Sequence, residues 1–444
     1  MSKFLLLLLV NWVYVKGCYW NMKNPYNLFG SKTPYETIRG DIRDYATPHN
    51  CEAVSIWSMN RHGNRNPSPN VTLAMKDVLP IKDMIISNFE QGKSELCAQD
   101  IENYKKWSWN NTLDDSPNFL TGIGYKELYD IGKRLRQKYG KILHGTADQF
   151  YFRPTKEQRT ITSCMGFIHG FTEDISLNVT VEEPWDRDEI IRPYQTCDRY
   201  LQLVREGPVL HEQLETYFQS PDYLAVHHAV LKRLGIVTHL PTESVFAMYE
   251  ICRFYRSWSP NLRDPWCAPF TEEDLSVLEY YDDVRHYYRN GYGSRINMEL
   301  GQPPLKDMYE KLEAVVKGGG KKVVAYFTHD TMIGMVWCAL GLFKDDEPLE
   351  SLIINPERLW KYSVMGPFAT NLLAVLNRCT ESGRDEYRVQ IFINEKVTPI
   401  CPLEGCKWNQ FQQRFKSYTK SNLKFCNMNH SYKITPYLKK NKFR

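Results

Sequence analysis

The sequence predicts an α/β fold, with a mixed, largely parallel sheet flanked by helices and a mostly helical cap domain inserted. Three runs carry that prediction. Residues 53–59, 149–152 and 322–328 are short stretches rich in apolar, β-branched and aromatic residues, and each breaks at once into polar residues and then a helical pattern. Near-continuous apolar strands followed by helices are the pattern of a sheet buried on both faces.

The first run ends in Arg61-His62-Gly63-Asn64-Arg65, so a strand delivers His62 to its carboxyl end. After Thr121-Gly122, the residues Tyr125, Leu128, Ile131 and Leu135 recur at helical spacing, and Gly140 supplies a stop. The second run leads through Arg153-Pro154-Thr155 into a helix carrying Arg159, Thr162 and Ser163. The third ends in His329-Asp330 before a helix-like 331–342. Between them the texture changes to aromatic and charged helical segments such as 277–284. The expected organisation is an α/β core over 18–165, a helical cap over 166–304, the returning core over 305–400, and a tail over 401–444 pinned by Cys401, Cys406 and Cys426. There is no internal repeat, low-complexity tract or heptad run.

Among 444 residues, 42% are hydrophobic and 24% charged, close to ordinary globular usage. Lysine plus arginine exceed aspartate plus glutamate by 56 − 52 = 4, with the basic residues dispersed, which argues against nucleic-acid binding but leaves room for a local cationic pocket. Residues 1–17 combine one lysine, Lys3, ahead of an apolar stretch too short to span a bilayer and small residues Val15 and Gly17, the pattern of a signal peptide. The 12 cysteines then read as disulfides formed in an oxidising lumen. Sequons at Asn70, Asn110, Asn178 and Asn429 fit the same route. The expected destination is the secretory pathway, with secretion, the endoplasmic reticulum lumen and the cell surface, including peripheral membrane association, all left open. No cysteine or histidine cluster has zinc spacing, and no metal ion or cofactor is called for.

Phosphoryl transfer needs a nucleophile in line with phosphorus, positive groups on the equatorial oxygens and an acid for the departing oxygen. His62 can attack as a neutral imidazole, and Arg61 and Arg65, flanking a glycine turn, suit forked contacts with phosphate oxygens. Gly63 is expected to leave room for close approach. Arg159 and His329 arrive from other strands to complete up to four positive donors. Asp330 supplies the acid, on condition that its pKa is raised enough to hold a proton at the working pH, from which an acidic optimum follows. The bland readings are a helix N-cap for Asp330 and a structural salt bridge for Arg159.

The RHGNR run with Pro67, and His-Asp after an apolar strand, resemble the histidine acid phosphatases, the branch that includes phytases. Residues 264–270, 291–297 and Asn394-Glu395 look like the multiple inositol polyphosphate phosphatases within it. The resemblance implies His62 as the phosphorylated residue, Arg61, Arg65, Arg159 and His329 as the phosphate-binding set and Asp330 as the proton donor. It also implies disulfides joining Cys51 to Cys379, Cys252 to Cys267 and Cys401 to Cys406. Two departures stand out: Asn66 replaces the family's usual aromatic residue, and His329-Asp330 is the phytase-like pair where many animal members have His-Ala-Glu. The expected activity is hydrolysis of a small polyanionic phosphate ester, an inositol polyphosphate with bisphosphoglycerate as a further substrate. The alternatives are a broad-specificity acid phosphatase and a catalytically silent binding glycoprotein of the same fold.

Overall fold

A computed structural model describes residues 18–21, 27–173, 179–259, 263–381 and 384–428. The expected leader at 1–17 and the sequons at Asn178 and Asn429 lie outside the described residues. One sheet runs through the chain. Its strands are β1 (Cys51–Arg61), β2 (Phe150–Pro154), β3 (Thr180–Val181), β4 (Val323–Thr328), β5 (Asn371–Glu381), β6 (Arg384–Ile393), β7 (Lys396–Val397) and β8 (Cys406–Lys407). The order is β3-β2-β4-β1-β5-β6-β7, with β8 also paired to β6. Strands β3, β2, β4 and β1 pair in parallel, while β5 to β8 add an antiparallel half.

The three strands read from sequence are adjacent, and their carboxyl ends are level. Arg61 lies opposite Thr328, and Pro154 opposite Phe327. Successive side chains point to opposite faces of a strand. Val323, Ala325 and Phe327 of β4, with Ile56, therefore enter one apolar core, against Leu128, Ile131 and Leu135 of the helix Gly122–Tyr139 and Phe167 and Phe171 of the helix Gln158–Thr172. Val324 and Tyr326, with Trp57 and Met59, enter the other, against Met332 and Val336 of the helix Asp330–Leu340.

Between β3 and β4 the chain forms the helices Pro208–Tyr217, Pro221–Arg233, Glu243–Trp258 and Glu272–Asn290, packed through tyrosine and phenylalanine rings such as Tyr217, Tyr223, Phe246 and Tyr281. Their starts are locally encoded: Ser220 caps one helix with Pro221 at its first position, and Thr271 and Asp274 cap another reciprocally. The amino-terminal turn Gly30–Lys32 wedges against this layer. Gly30 has φ +52, and a Cβ there would sit 2.6 Å from Asp282 Oδ2.

Five disulfides hold the described chain: Cys18–Cys97, Cys51–Cys379, Cys197–Cys426, Cys252–Cys267 and Cys401–Cys406. Cys51 and Cys379 face each other across β1 and β5, and Cys426 ties the end of the described chain back to the helical layer. Such bonding belongs to an oxidising compartment, so the chain is one of the secretory pathway. No described helix is long and apolar enough to cross a membrane.

Phe167 shows what the first core does for the strand ends. Its ring packs on Phe152 of β2 and Phe327 of β4, with centroids 6.2 and 5.4 Å away, on the helix that carries Arg159. Phe167→Ala is expected to lower unfolding free energy by about 3–5 kcal/mol through lost contacts and a cavity, measured by chemical denaturation.

Candidate active site

The loop after β1 is held by backbone bonds from neighbours on both sides. Arg61 N–H donates to Thr370 O (2.7 Å), His62 N–H to Thr328 O (3.0 Å), and Ala369 N–H to His62 O (3.1 Å). Gly63 N–H donates to Ser163 Oγ and Asn64 N–H to the buried Glu127 Oε2 (2.7 Å). Gly63 serves packing here: a Cβ on it would lie 2.2 Å from Gly124 O, so the space expected for a ligand is filled by the next segment of backbone. Asn64 Nδ2 donates to Ser257 O, which anchors the loop to the helical layer.

Arg61 is wholly buried. Its Nη1 donates to Ser31 O (2.8 Å) and Gly366 O (2.7 Å), its plane lies over Phe368, and Nε and Nη2 have no hydrogen-bond partner. Arg159 also has a buried, unpartnered Nε. Buried donors are almost always satisfied, so these nitrogens are suited to hold an anion. Arg65 Nη1 donates to Asn66 O, and burial together with Arg159 and Arg61 pulls its pKa down to about 9.

His62 Nδ1 lies 2.8 Å from Gly63 O. A carbonyl can only accept, so Nδ1 carries the proton and Nε2 presents a bare lone pair. Burial, then Arg159, Arg61, His329 and Arg65, hold the imidazole well below its ordinary pKa and so neutral. His329 lies beside it, ring centroids 5.6 Å apart. Arg159 Nη2 can only donate to His329 Nδ1 (3.2 Å), so His329 Nε2 carries the proton towards Glu157 Oε2 (3.1 Å) and Thr155 Oγ1 (3.0 Å). Burial lowers His329 to about 4 against the pull of Glu157. The fourth positive donor expected there is thus a neutral ring that orients Arg159.

Asp330 opens the helix Asp330–Leu340 and accepts from Thr331 N–H (2.7 Å), while its Oδ2 lies 3.5 Å from Arg61 Nη2. The raised pKa required in the sequence reading is not what these surroundings produce. Burial pushes the carboxyl up, but Arg61, His286, Arg289 and His62 outweigh it and hold the group well below the ordinary range. All four of those partners are separated from Asp330 by long stretches of chain, so the sequence alone does not bring them to it.

All six site residues read from the sequence converge: Arg61, His62, Arg65, Arg159, His329 and Asp330. Sequence reasoning missed Glu157, which orients His329 and pairs with Arg192, and the helix Glu272–Asn290, which brings Arg285, His286 and Arg289 into the field of the site. The signal was available only as a charged helix with no indication of which face turns inward. The Asn66 side chain is bonded elsewhere: its Nδ2 donates to Ser116 O and Oγ, and it borders a separate groove of about 950 Å³ lined by Trp107, Tyr255 and Trp258. Asn70 and Asn110 are exposed, and Asn110 Oδ1 accepts from Thr112 Oγ1 (2.8 Å). Of the described residues, Cys18, Cys97 and Asp100 are close enough to hold a cation, but the sulfurs are bonded to each other and Asp100 accepts from Tyr19 and Trp20 N–H.

The lowered histidines set an acid limit on stability. With folded values below the ordinary 6.5, the unfolded chain takes up protons first, so stability present above about 6.5 is lost as pH falls towards the folded values. For His329 the window runs from about 6.5 to about 4. His329→Gln should reduce the loss of unfolding free energy between pH 7 and pH 4.5 by about 2 kcal/mol, read from denaturant curves at the two pH values.

The family model described as the histidine phosphatase superfamily (branch 2) matches residues 55–394. The chain is 30% identical over 405 residues to a multiple inositol polyphosphate phosphatase 1 of Drosophila melanogaster, covering 88% of this chain and 85% of that one. To the protein of that name from Homo sapiens it is 22% identical, covering 91% and 88%. Among solved structures, the phytase from D. castellii superposes with a TM-score of 0.74 at 19% identity, over 93% of this chain and 90% of that one. The family model spans both strand ends, from β1 through Asp330, and the chain belongs to the histidine phosphatase superfamily, branch 2.

Proposed function

We propose that this chain is a phosphomonoesterase of the secretory pathway that hydrolyses inositol polyphosphates through a phosphohistidine on His62. The observation that carries this is the pairing of a neutral, Nδ1-protonated His62 with buried arginine nitrogens that have no hydrogen-bond partner in the protein. Arg61, Arg65 and Arg159 hold the equatorial oxygens of one phosphate and offset the charge that a lone pair on His62 Nε2 would otherwise meet. The Nε2–P bond forms as the ester P–O bond breaks, and Asp330 gives its proton to the departing oxygen. Water then attacks phosphorus, its proton passes to Asp330, and the P–N bond breaks to free phosphate and restore His62.

Asp330 is ionised beside Arg61 in the ligand-free site. A bound phosphate dianion shares Arg61 and adds negative charge, which raises Asp330 towards the protonated form the first step needs and favours turnover in acid. The substrate class is supported by the surplus of cations beyond the cage. Arg285 keeps 35% of its side-chain exposure and lies 4.0 Å from Asp282, and Arg289 adds a second charge to the field at Asp330. A single phosphate does not need these groups, whereas further phosphates on an inositol ring would meet them. Multiple inositol polyphosphate phosphatases among the relatives point the same way. Asn70 and Asn110 are the glycan acceptors on the described surface, and the product is released into the lumen, at the cell surface or outside the cell.

His62→Ala should lower phosphate release by more than about 10³-fold, and rapid quenching of the wild-type enzyme in alkaline denaturant should trap an acid-labile, base-stable phosphoryl group that the variant lacks. Wild-type enzyme should release phosphate from inositol hexakisphosphate with a higher kcat/KM than from p-nitrophenyl phosphate; activity on the aryl ester alone overturns the substrate class. Arg285→Ala should raise KM for inositol hexakisphosphate about tenfold and change KM for the aryl ester much less.

A further inference from the structure

The three arginines beside His62 are aimed in different ways. Arg61 Nη1 donates to Ser31 O and Gly366 O while its Nη2 lies 3.5 Å from Asp330 Oδ2, and Arg159 Nη2 donates to His329 Nδ1 (3.2 Å). Arg65 Nη1 donates to Asn66 O (2.6 Å), the next residue of its own chain, and among the described residues Arg65 makes no ion pair. A guanidinium without a partner from another element is aimed only as well as the backbone that carries it. The loop beneath Arg65 therefore sets its direction.

Asn64 is wholly buried in that loop, and both ends of its amide are bonded. Nδ2 donates to Ser257 O (3.0 Å); a carbonyl only accepts, so the nitrogen lies on that side and Oδ1 faces Thr121 Oγ1 (3.0 Å). Thr121 Oγ1 accepts from Gly124 N–H (3.1 Å), which leaves its own hydrogen for Asn64 Oδ1. On the main chain, Asn64 N–H donates to Glu127 Oε2 (2.7 Å) and Asn64 O accepts from Thr121 N–H (3.0 Å). Packing leaves no slack on this side, since a Cβ at Gly124 would lie 2.1 Å from Asn64 O.

The two partners of the amide belong to different layers. Thr121 caps the helix Gly122–Tyr139 on the sheet, whereas Ser257 lies in the last turn of the helix Glu243–Trp258. Beyond Asn64, Trp258 Nε1 donates to Arg65 O (3.4 Å) and Asn66 N–H donates to Phe119 O (2.9 Å). The loop is gripped by 119–121 on one side and by the end of a cap helix on the other, and the Asn64 side chain bonds to both. Aspartate has the shape without the donor, and leucine has the bulk without either group.

We propose that Asn64 is the positioning residue for Arg65: its amide spans the loop from Thr121 to Ser257 and so fixes where the Arg65 guanidinium meets a bound phosphate. The proposal rests on Arg65 as a phosphate ligand. It makes the end of the helix Glu243–Trp258 part of the frame of the site, so that Arg65 keeps its aim only while the helical layer is seated. Asn64 itself touches neither the phosphate nor the reacting atoms.

The test is a double-mutant cycle read on competitive inhibition by inorganic phosphate. Asn64→Ala should raise the Ki for phosphate about tenfold, and Arg65→Ala should raise it at least as much. Added to Arg65→Ala, Asn64→Ala should raise it less than about twofold, because the group it aims is gone, while the stability it costs in denaturant curves is the same in both backgrounds. An equal rise in Ki in both backgrounds, or none in the wild type, overturns the proposal. A Ki unchanged by Arg65→Ala overturns instead the phosphate-ligand reading on which it rests. If Asn64→Ala does not fold, Trp258→Phe, which removes the donor to Arg65 O and keeps an aromatic ring, takes its place. A rise of about threefold that vanishes in the Arg65→Ala background then supports the proposal, and its absence overturns it.

Discussion

Arg61 is the group on which the rest of the site depends. A guanidinium with no exposure is costly to bury, and here only one of its nitrogens donates to protein carbonyls. Its charge is met by Asp330 at 3.5 Å, with Asp282 and Glu127 acting at longer range. Each requirement recruits a different part of the chain. Ser31 comes from the amino-terminal turn, Gly366 and Phe368 from the segment before β5, and Asp282 from the helical layer, where it accepts from Ser31 N–H and Oγ. The amino-terminal turn is thus a brace between the cage and the helices above it. What remains unsatisfied, Nε and Nη2, is the part left for an anion.

Much of this was legible because the relevant signals are local. The runs at 53–59 and 322–328 are mostly apolar because both faces are buried, and the polar break after each marks a strand end. Two adjacent parallel strands then set Arg61 beside Thr328, so motifs more than 260 residues apart become neighbours without further information. Arg159 is less directly placed, since it stands at the second position of a helix and is aimed by His329. Its position follows from a register that the sequence does not state.

The parts that stayed hidden depend on tertiary placement. Nothing in residues 272–290 says that Arg285, His286 and Arg289 turn towards the strand ends while Leu275 and Leu278 turn to the core. The lowered pKa of Asp330 was not legible in the sequence because its partners Arg61, His286 and Arg289 meet only in the fold. Gly63 was given to the ligand, although Gly124 occupies that space. The pairs Cys18–Cys97 and Cys197–Cys426 were likewise open, since spacing does not determine connectivity.

The helix Glu272–Asn290 also argues for a pocket of settled shape. Arg358 pairs with Asp283 at 2.6 Å and Glu279 at 3.3 Å with all three side chains out of solvent, and Asp283 accepts from Tyr362 N–H. On the same helix Asp282 pairs with Arg253 at 2.9 Å and with Lys32 at 3.9 Å, again buried. Separating any one partner would leave a charge without compensation in a low-dielectric interior, which costs about 3–5 kcal/mol for a buried pair. Two such clusters on one helix make a hinged lid a costly design. The arginines it presents, Arg285 and Arg289, are then fixed points, held by ion pairs elsewhere on the same helix.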